Sequence, residues 1–442
     1  MTSWQERVAA IGLSEGAAAI ATRHFREVAS QHALAFGPSE APRAWWVPGR
    51  IEVLGKHTDY GGGRSLLCAV ERGFHVLATP RTDATIRIVD ASTSASVNIP
   101  FEPDAAPRPG HWTDYLITVV RRVARDFPTA RTGMNVMMRS SLPSAAGLSS
   151  SSAMVIACFL PLAAINRLHD TSSWSAIPDD DALAGYLGAV ENGRAFAALP
   201  ADRGVGTQGG SEDQTAILRS APGQLLQYHF IPVTREDMVA LPAGWQFVIG
   251  MSGVHAAKGG AVQARYNALA EEVAALLALW RHRTSRSDQS LFAALRSAPD
   301  AGESLAAMIA GDAPAAEAMR ARLAQFRAET EVIIPEVTRR LGQGDVAGIR
   351  ELVAQSQSLA ERALRNQIPE TSHLAHRATE LGAAAASAFG AGFGGSVWAL
   401  VRDDDVAGFI ARWRDDYIAR FPERRPRAEF FSSRPGPPAM EL

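Results

Sequence analysis

Three short stretches of the 442-residue chain combine residue types and spacings that could do chemistry. Residues 142–153, LPSAAGLSSSSA, leave a predicted strand, pass through small residues and open an apolar helix. A helix N-terminus presents free backbone N–H groups and the positive end of its dipole, and together these bind anions. Small residues let a phosphate approach the backbone, and the serines add hydroxyls for phosphate oxygens or a divalent cation. Taken alone, the segment also reads as an ordinary serine-rich helix cap. Residues 389–396, FGAGFGGS, carry glycines at 390, 392, 394 and 395. A loop with so few side chains packs against another backbone or a phosphate, although Gly-rich turns are common.

The third stretch is 48–63, PGRIEVLGKHTDYGGG. A Walker phosphate loop needs four residues between its glycines and Ser or Thr after the Lys. Here five residues separate Gly49 from Gly55, and His57 follows Lys56. The segment IEVLG reads as a strand, and no helix signal follows Lys56. What remains is a dense polar set of Arg50, Lys56, His57, Asp59 and Tyr60. A carboxylate and an imidazole so placed suit a small polyhydroxylated ligand.

The elements that must position these loops read as follows. Residues 1–40 are helical in character. A turn and strand follow over 41–55 and two or three strands over 64–92, and residues 111–127 have helical apolar spacing. TGMNVMMRSSLP is a strand entering the serine loop, and SAMVIACFLPLAAINRL is a buried helix. From about residue 223 the chain changes to two strands, a set of Ala-rich helices, the glycine loop and the strand SVWALV. Residues 382–401 are uncharged and long enough for a membrane span. Their glycine-rich middle points instead to helix end, loop and strand. The fold class is α+β in two halves, 1–222 and 223–442.

Composition narrows the function classes. With 47% hydrophobic and 20% charged residues, the chain has the material for large cores. Its 46 acidic and 44 basic residues leave a formal net charge of -2, so no global basic field recruits nucleic acid or anionic membrane. Two cysteines, Cys68 and Cys158, make no disulfide framework and fit a cytoplasmic setting. The N-terminus has early charges and no compact apolar run, unlike a signal peptide.

In this order, the three loops resemble the three motifs of the GHMP kinase superfamily, with galactokinase-like sugar kinases as the nearest group. GRIEVLGKHTDY at 49–60 is similar to the group's G-R-x-N-L-I-G-E-H-T-D-Y. PSAAGLSSS at 143–151 resembles its P-x-x-x-G-L-S-S-S-A, with one extra serine before Ala153. GAGFGG at 390–395 matches G-x-G-F-G-G. WTDY at 112–115, SEDQ at 211–214 and SGVHAAKGGAVQARYN from Ser252 extend the likeness over roughly residues 35–401. The resemblance implies a two-domain GHMP kinase fold: an N-terminal mixed sheet with helices, a C-terminal α/β domain and an active site in the cleft between them. It also implies ATP-dependent phosphorylation of a monosaccharide, at the anomeric hydroxyl to give a sugar 1-phosphate.

By the same resemblance Asp213 is the base, or the group that orients the sugar hydroxyl. Arg50 stands beside it, keeping it ionised and stabilising the transferring phosphoryl. His57, Asp59, Gly210 and Lys56 face the sugar. Pro143, Gly147, Leu148, Ser149, Ser150, Ser151, Ser152, Gly392 and Gly394 hold ATP, with Trp112 near adenine. Ser151 and Glu191 hold Mg²⁺, since hard oxygen ligands suit that ion. The partner implied is a small-molecule sugar, and the protein a monomer or weak homodimer. The separation of Glu191 from Asp213 is longer than usual, so residues 197–210 read as an insertion.

Two positions depart from the group. Lys56 replaces the Glu that touches the sugar near C6, and an ammonium only donates hydrogen bonds. It fits an anionic substrate group such as a uronate carboxylate. It also fits a structural pair with Glu52, Glu71 or Asp59. The sugar-contacting Tyr of the second domain has no evident counterpart, because Val262 occupies its register and Tyr266 lies one helical turn later. Other readings are therefore a kinase for a uronic acid or for a heptose- or fucose-type sugar, and a catalytically silent sugar sensor.

Overall fold

The computed structural model describes residues 3–37, 42–143, 146–254, 260–311 and 313–442. Twelve strands are present among them: β1 (Arg43–Leu54), β2 (Arg64–Pro80), β3 (Thr85–Asp90), β4 (Ser96–Pro100), β5 (Met134–Ser140), β6 (Gln224–His229), β7 (Thr234–Ala240), β8 (Trp245–Met251), β9 (Ala385–Phe389), β10 (Ser396–Arg402), β11 (Glu429–Ser433) and β12 (Met440–Glu441). They form an eight-stranded sheet ordered β12-β1-β2-β5-β3-β4, with β6 on β2 and β7 on β6, and a four-stranded sheet ordered β11-β8-β10-β9. Among the described residues, only the β3–β5 pairing is parallel. The expected mixed sheet in the first half is present.

Strand β1 is buried along nearly its whole length. It contacts the helix Ser150–Ile165, whose own sequence is apolar on all sides, as a fully buried helix must be. On β2 and β5 lies the amphipathic helix Glu15–Phe36. The small sheet is covered by the helices Pro369–Glu380 and Val406–Arg420, with Leu374, Phe409, Trp413 and Tyr417 packed on Val248 and Val397. A third group of helices, Gly260–Thr284, Leu291–Leu295, Ala301–Met308 and Pro314–Arg327, has its own apolar cluster of Val273, Leu276, Trp280, Phe292 and Phe326. The turn after β1 is pressed onto that cluster through Tyr60.

The first sheet takes in strands from beyond residue 222. Strands β6 and β7 continue the first sheet by pairing with β2, and β12 returns to pair with β1. Residues 385–389 form strand β9 where a helix end was expected. Pairing with β10 sets their conformation over their alanine-rich helical propensity. Among the described residues no helix is long and apolar enough to cross a membrane. Ser144 and Ala145 of the serine loop, and His255 and Lys258, lie outside the described residues.

Candidate active site

Along β1 the side chains alternate. Ile51 and Val53 enter the main core, while Arg50 and Glu52 both line a cleft. The Arg50 guanidinium meets Asp213, in the first turn of the helix Glu212–Arg219, through Nε–H to Oδ1 at 2.8 Å and Nη2 to Oδ1 at 2.6 Å. Its Nη1 donates to the Gly147 carbonyl at 2.5 Å, and its backbone N–H donates to the Leu148 carbonyl at 3.2 Å. One side chain thus ties together the first motif, the candidate base and the serine loop.

The serine loop leads into the helix Ser150–Ile165. The Ser152 hydroxyl lies between two carboxylates, 2.8 Å from Glu191 Oε2 and 3.3 Å from Asp213 Oδ2. Gln214 Nε2 donates to the same Glu191 oxygen at 2.7 Å. Ser151, the expected metal ligand, instead hydrogen-bonds the Tyr115 hydroxyl. Of the loop serines, Ser152 lines the cleft. The glycine loop packs directly on the serine loop. A Cβ on Gly390 would come within 2.9 Å of the Gly147 carbonyl, and Ser396 Oγ donates to the Ala146 carbonyl at 2.5 Å. Gly390 lines the cleft, whereas Gly392 is pressed onto Asn366 and neither it nor Gly394 is among the cleft walls. Trp112, at the start of the helix Thr113–Asp126, packs against the main core and is likewise not a wall.

On the other side of Asp213 the walls are His57, Asp59, Asn192, Thr207, Gly209, Gly210 and Tyr266. The cleft is open to solvent. His57 has φ 59, a conformation uncommon outside glycine. It is held there by Tyr60 Oη at 3.1 Å on Nδ1, by the Ala391 carbonyl at 3.1 Å from Nε2, and by Arg322 Nη2 donating to its own carbonyl at 2.5 Å. The Asp59 carboxylate accepts the Glu212 backbone N–H at 3.3 Å. It also lies against Gly210 so closely that a Cβ there would be 2.3 Å from Oδ2. Tyr266, on the helix Gly260–Thr284, faces His57 with ring centroids 5.3 Å apart. Tyr266, one helical turn after Val262, is thus a wall of the cleft. Glu52, Asn192, Thr207 and Glu212 are further walls that motif reasoning missed. Only the period of two from Arg50 to Glu52, and the adjacency of Glu212 to Asp213, signalled any of them.

Lys56 is not a wall of this cleft. It is 1% exposed, and its ammonium donates to Ser356 Oγ at 2.9 Å and Ser387 Oγ at 2.8 Å. Ser356 passes the interaction on by donating to Glu329. Of the three carboxylates expected as its partners, Glu71 accepts instead from the backbone of Ser14 and Arg434.

The cleft is strongly acidic. Burial opposes the charge on Arg50, but Asp213, Glu212 and Glu52 outweigh it and its pKa is raised. Burial, against the pull of Arg50 and Lys56, pushes the Glu52 carboxyl up to about 7. Its Oε2 accepts the Gly390 N–H at 3.0 Å, and its buried Oε1 has no hydrogen-bond partner. Burial and neighbouring Glu52 push Glu212 well above the ordinary range. Burial and Asp213 raise Asp59.

Comparisons with known proteins agree with this geometry. Residues 30–80 match the galactokinase galactose-binding signature, residues 114–218 the GHMP kinases N-terminal domain, and residues 333–419 the GHMP kinases C-terminal domain. The chain is 32% identical to the galactokinase of Lacticaseibacillus casei over 117 residues, which span 26% of this chain and only 30% of that protein. It is 25% identical to the galactokinase of Chloroflexus aurantiacus over 393 residues, 87% of this chain and 89% of that protein. The fold superposes on Lactococcus lactis galactokinase complexed with galactose with a TM-score of 0.76 at 20% identity, covering 94% of this chain and 99% of that one. For Methanococcus jannaschii mevalonate kinase the TM-score is 0.55 at 13% identity, covering 90% and 99%. The chain belongs to the GHMP kinase superfamily and carries its galactokinase-type signature.

Proposed function

We propose that the chain is an ATP-dependent kinase that phosphorylates a neutral monosaccharide at its anomeric hydroxyl. The observation that carries this reading is Arg50. Its guanidinium spans from Asp213 to the carbonyl of Gly147 in the serine loop, where a sugar hydroxyl and a terminal phosphoryl group would meet.

Asp213 accepts the hydroxyl proton or orients the hydroxyl for attack. Arg50 neutralises charge on the transferring group. The backbone of 146–149 and the start of the helix Ser150–Ile165 bind the phosphates. His57, Asp59 and Tyr266 read the sugar hydroxyls. Glu191 and the hydroxyl of Ser152 suit Mg²⁺, which takes one or two protein oxygens and completes its shell with phosphate and water. When bound, the ion supplies charge neutralisation on the phosphates. A reduced compartment such as the cytoplasm agrees with Cys68 and Cys158 both being buried free thiols.

The cleft walls include Glu52, Asp59, Glu191, Glu212 and Asp213 against Arg50, and the Lys56 ammonium is committed to Ser356 and Ser387. That balance favours a neutral sugar over a uronate. The test is ADP release with Mg-ATP over a panel of galactose, galacturonate, glucuronate and heptoses, with phosphorus NMR of the product. A neutral sugar should give a 1-phosphate, and Asp213→Ala should abolish it. Faster turnover of a uronate than of any neutral sugar would overturn the substrate class. ATP binding without turnover on any sugar would favour a sugar sensor.

A further inference from the structure

Residues 193–210 join the helix Asp180–Asn192, which carries Glu191, to Asp213. They do more than connect. At their outer end they are fastened to the helix Thr113–Asp126: Asp202 pairs with Arg121 at 3.3 Å and Arg125 at 3.0 Å, and Arg203 pairs with Asp114 at 3.3 Å. The Val205 N–H donates to the Glu191 carbonyl at 2.9 Å. The loop then reaches the helix Gly260–Thr284. There the Asn267 amide grips it at two points, donating from Nδ2 to the Gly206 carbonyl at 3.1 Å and accepting the Gln208 N–H on Oδ1 at 3.0 Å. Gln263 and Glu271 add weaker bonds on either side, at 3.4 and 3.3 Å.

Gln263, Tyr266 and Asn267 share one face of that helix, as their spacing of three and four requires. The face that holds the loop is therefore the face that presents Tyr266 to the cleft. On the loop side, Asn192 Oδ1 accepts from Thr207 Oγ1 at 3.0 Å and from the Gly209 N–H at 2.8 Å. These bonds set Thr207 and Gly209 in the cleft wall. The Tyr266 hydroxyl stands so close to Gly209 that a Cβ there would lie 3.0 Å from it.

We propose that residues 204–209 are a strap that closes the sugar side of the cleft, and that Asn267 is the positioning residue that latches it. The latch fixes Tyr266, Thr207 and Gly209 as one wall and so sets affinity for the sugar and the largest sugar admitted. This rests on the sugar-kinase reading of the same cleft. An Asn is suited to the latch because its amide offers a donor and an acceptor side by side, matching a backbone C=O and N–H two residues apart. Asp keeps only the acceptor side, and Ala keeps neither.

The experiment compares wild type, Asn267→Asp and Asn267→Ala, using D-galactose and Mg-ATP as probes. Backbone amide exchange of 205–208 is measured by mass spectrometry in parallel. For Asn267→Ala the galactose KM should rise about tenfold, the loss expected for roughly one unmade hydrogen bond. The ATP KM should stay within about twofold, and exchange at 205–208 should quicken while thermal unfolding is unchanged. Asn267→Asp should fall between the two. An unchanged galactose KM, or equal changes in both KM values, would sink the proposal. If the wild type phosphorylates no sugar, the kinase reading fails, and the exchange arm still decides the latch: unaltered exchange in Asn267→Ala refutes it.

Discussion

Replacing Lys56 by Met tests whether this residue serves the substrate or the fold. The Lys56 ammonium is buried, bonded to Ser356 and Ser387, with Glu329 reached through Ser356. Burial raises the Glu329 carboxyl pKa, and Lys56, Ser356 and the Gly55 backbone hold it down. Its Oε2 has no hydrogen-bond partner. Removing the ammonium leaves a buried carboxyl without its counter-charge, a change that costs about 3–5 kcal/mol. At roughly 2–4 °C per kcal/mol for a large domain, the thermal midpoint should fall by about 6–20 °C. Glu329→Gln keeps an acceptor for Ser356 and Gly55 and removes the charge. The double variant Lys56→Met/Glu329→Gln should therefore recover to within about 1 kcal/mol of wild type. Thermal unfolding followed by circular dichroism reads all three proteins, and sugar KM measured well below the midpoint should move less than about twofold. If Lys56→Met unfolds within about 1 kcal/mol of wild type, or the double variant is no more stable than the single, the buried pair is not what holds Lys56. A tenfold rise in sugar KM alone would return Lys56 to the substrate.

Three further outcomes are expected. Tyr266→Phe should raise the sugar KM about tenfold with kcat nearly unchanged, the effect of losing one hydroxyl contact in a steady-state assay; an unchanged KM removes Tyr266 from the sugar side. Gln214→Leu should raise the Mg²⁺ concentration for half-maximal activity about 10–100-fold, because Gln214 orients Glu191; an unshifted magnesium titration discards Glu191 as the ligand. For Glu52, the folded carboxyl titrates near 7 against an ordinary value of 4.5, so the folded state binds a proton that the unfolded chain does not. Its contribution to stability is full below pH 4.5, is lost as pH rises through 7 and is flat above. Glu52→Gln should therefore gain stability relative to wild type between pH 5 and pH 8, and a difference independent of pH in thermal scans counts against the assignment.

What could be read from the residues was the set of local devices. The serine loop, the glycine loop and the arginine-bearing strand each announce themselves by composition within about a dozen residues, and Arg50, Asp213, His57 and Asp59 do converge. What could not be read was set by contacts distant in sequence. Lys56 faces Ser356 and Ser387, some three hundred residues away, so no local pattern could distinguish a substrate-facing ammonium from a buried one. Ser152, not Ser151, is the serine whose hydroxyl meets Glu191 and Asp213, a contact set by residues distant in sequence. Tyr266 looked out of register because alignment counts residues, whereas the cleft depends on which helical face is turned inward. β6 likewise reads as a strand from its own residues, but its choice of β2 as partner does not.

The strand that carries Arg50 is completed from the far end of the chain. Residues 440–441 pair with β1 at Trp45 and Trp46, the Leu442 N–H donates to the Ala44 carbonyl, and the Ala439 N–H donates to the Ile217 carbonyl just beyond Asp213. Closing contacts of such sequence separation form late. Until that pairing forms, the first sheet has an open edge beside the strand that carries Arg50. A folding intermediate that lacks this pairing therefore exposes unpaired strand backbone, a ready template for association with another chain.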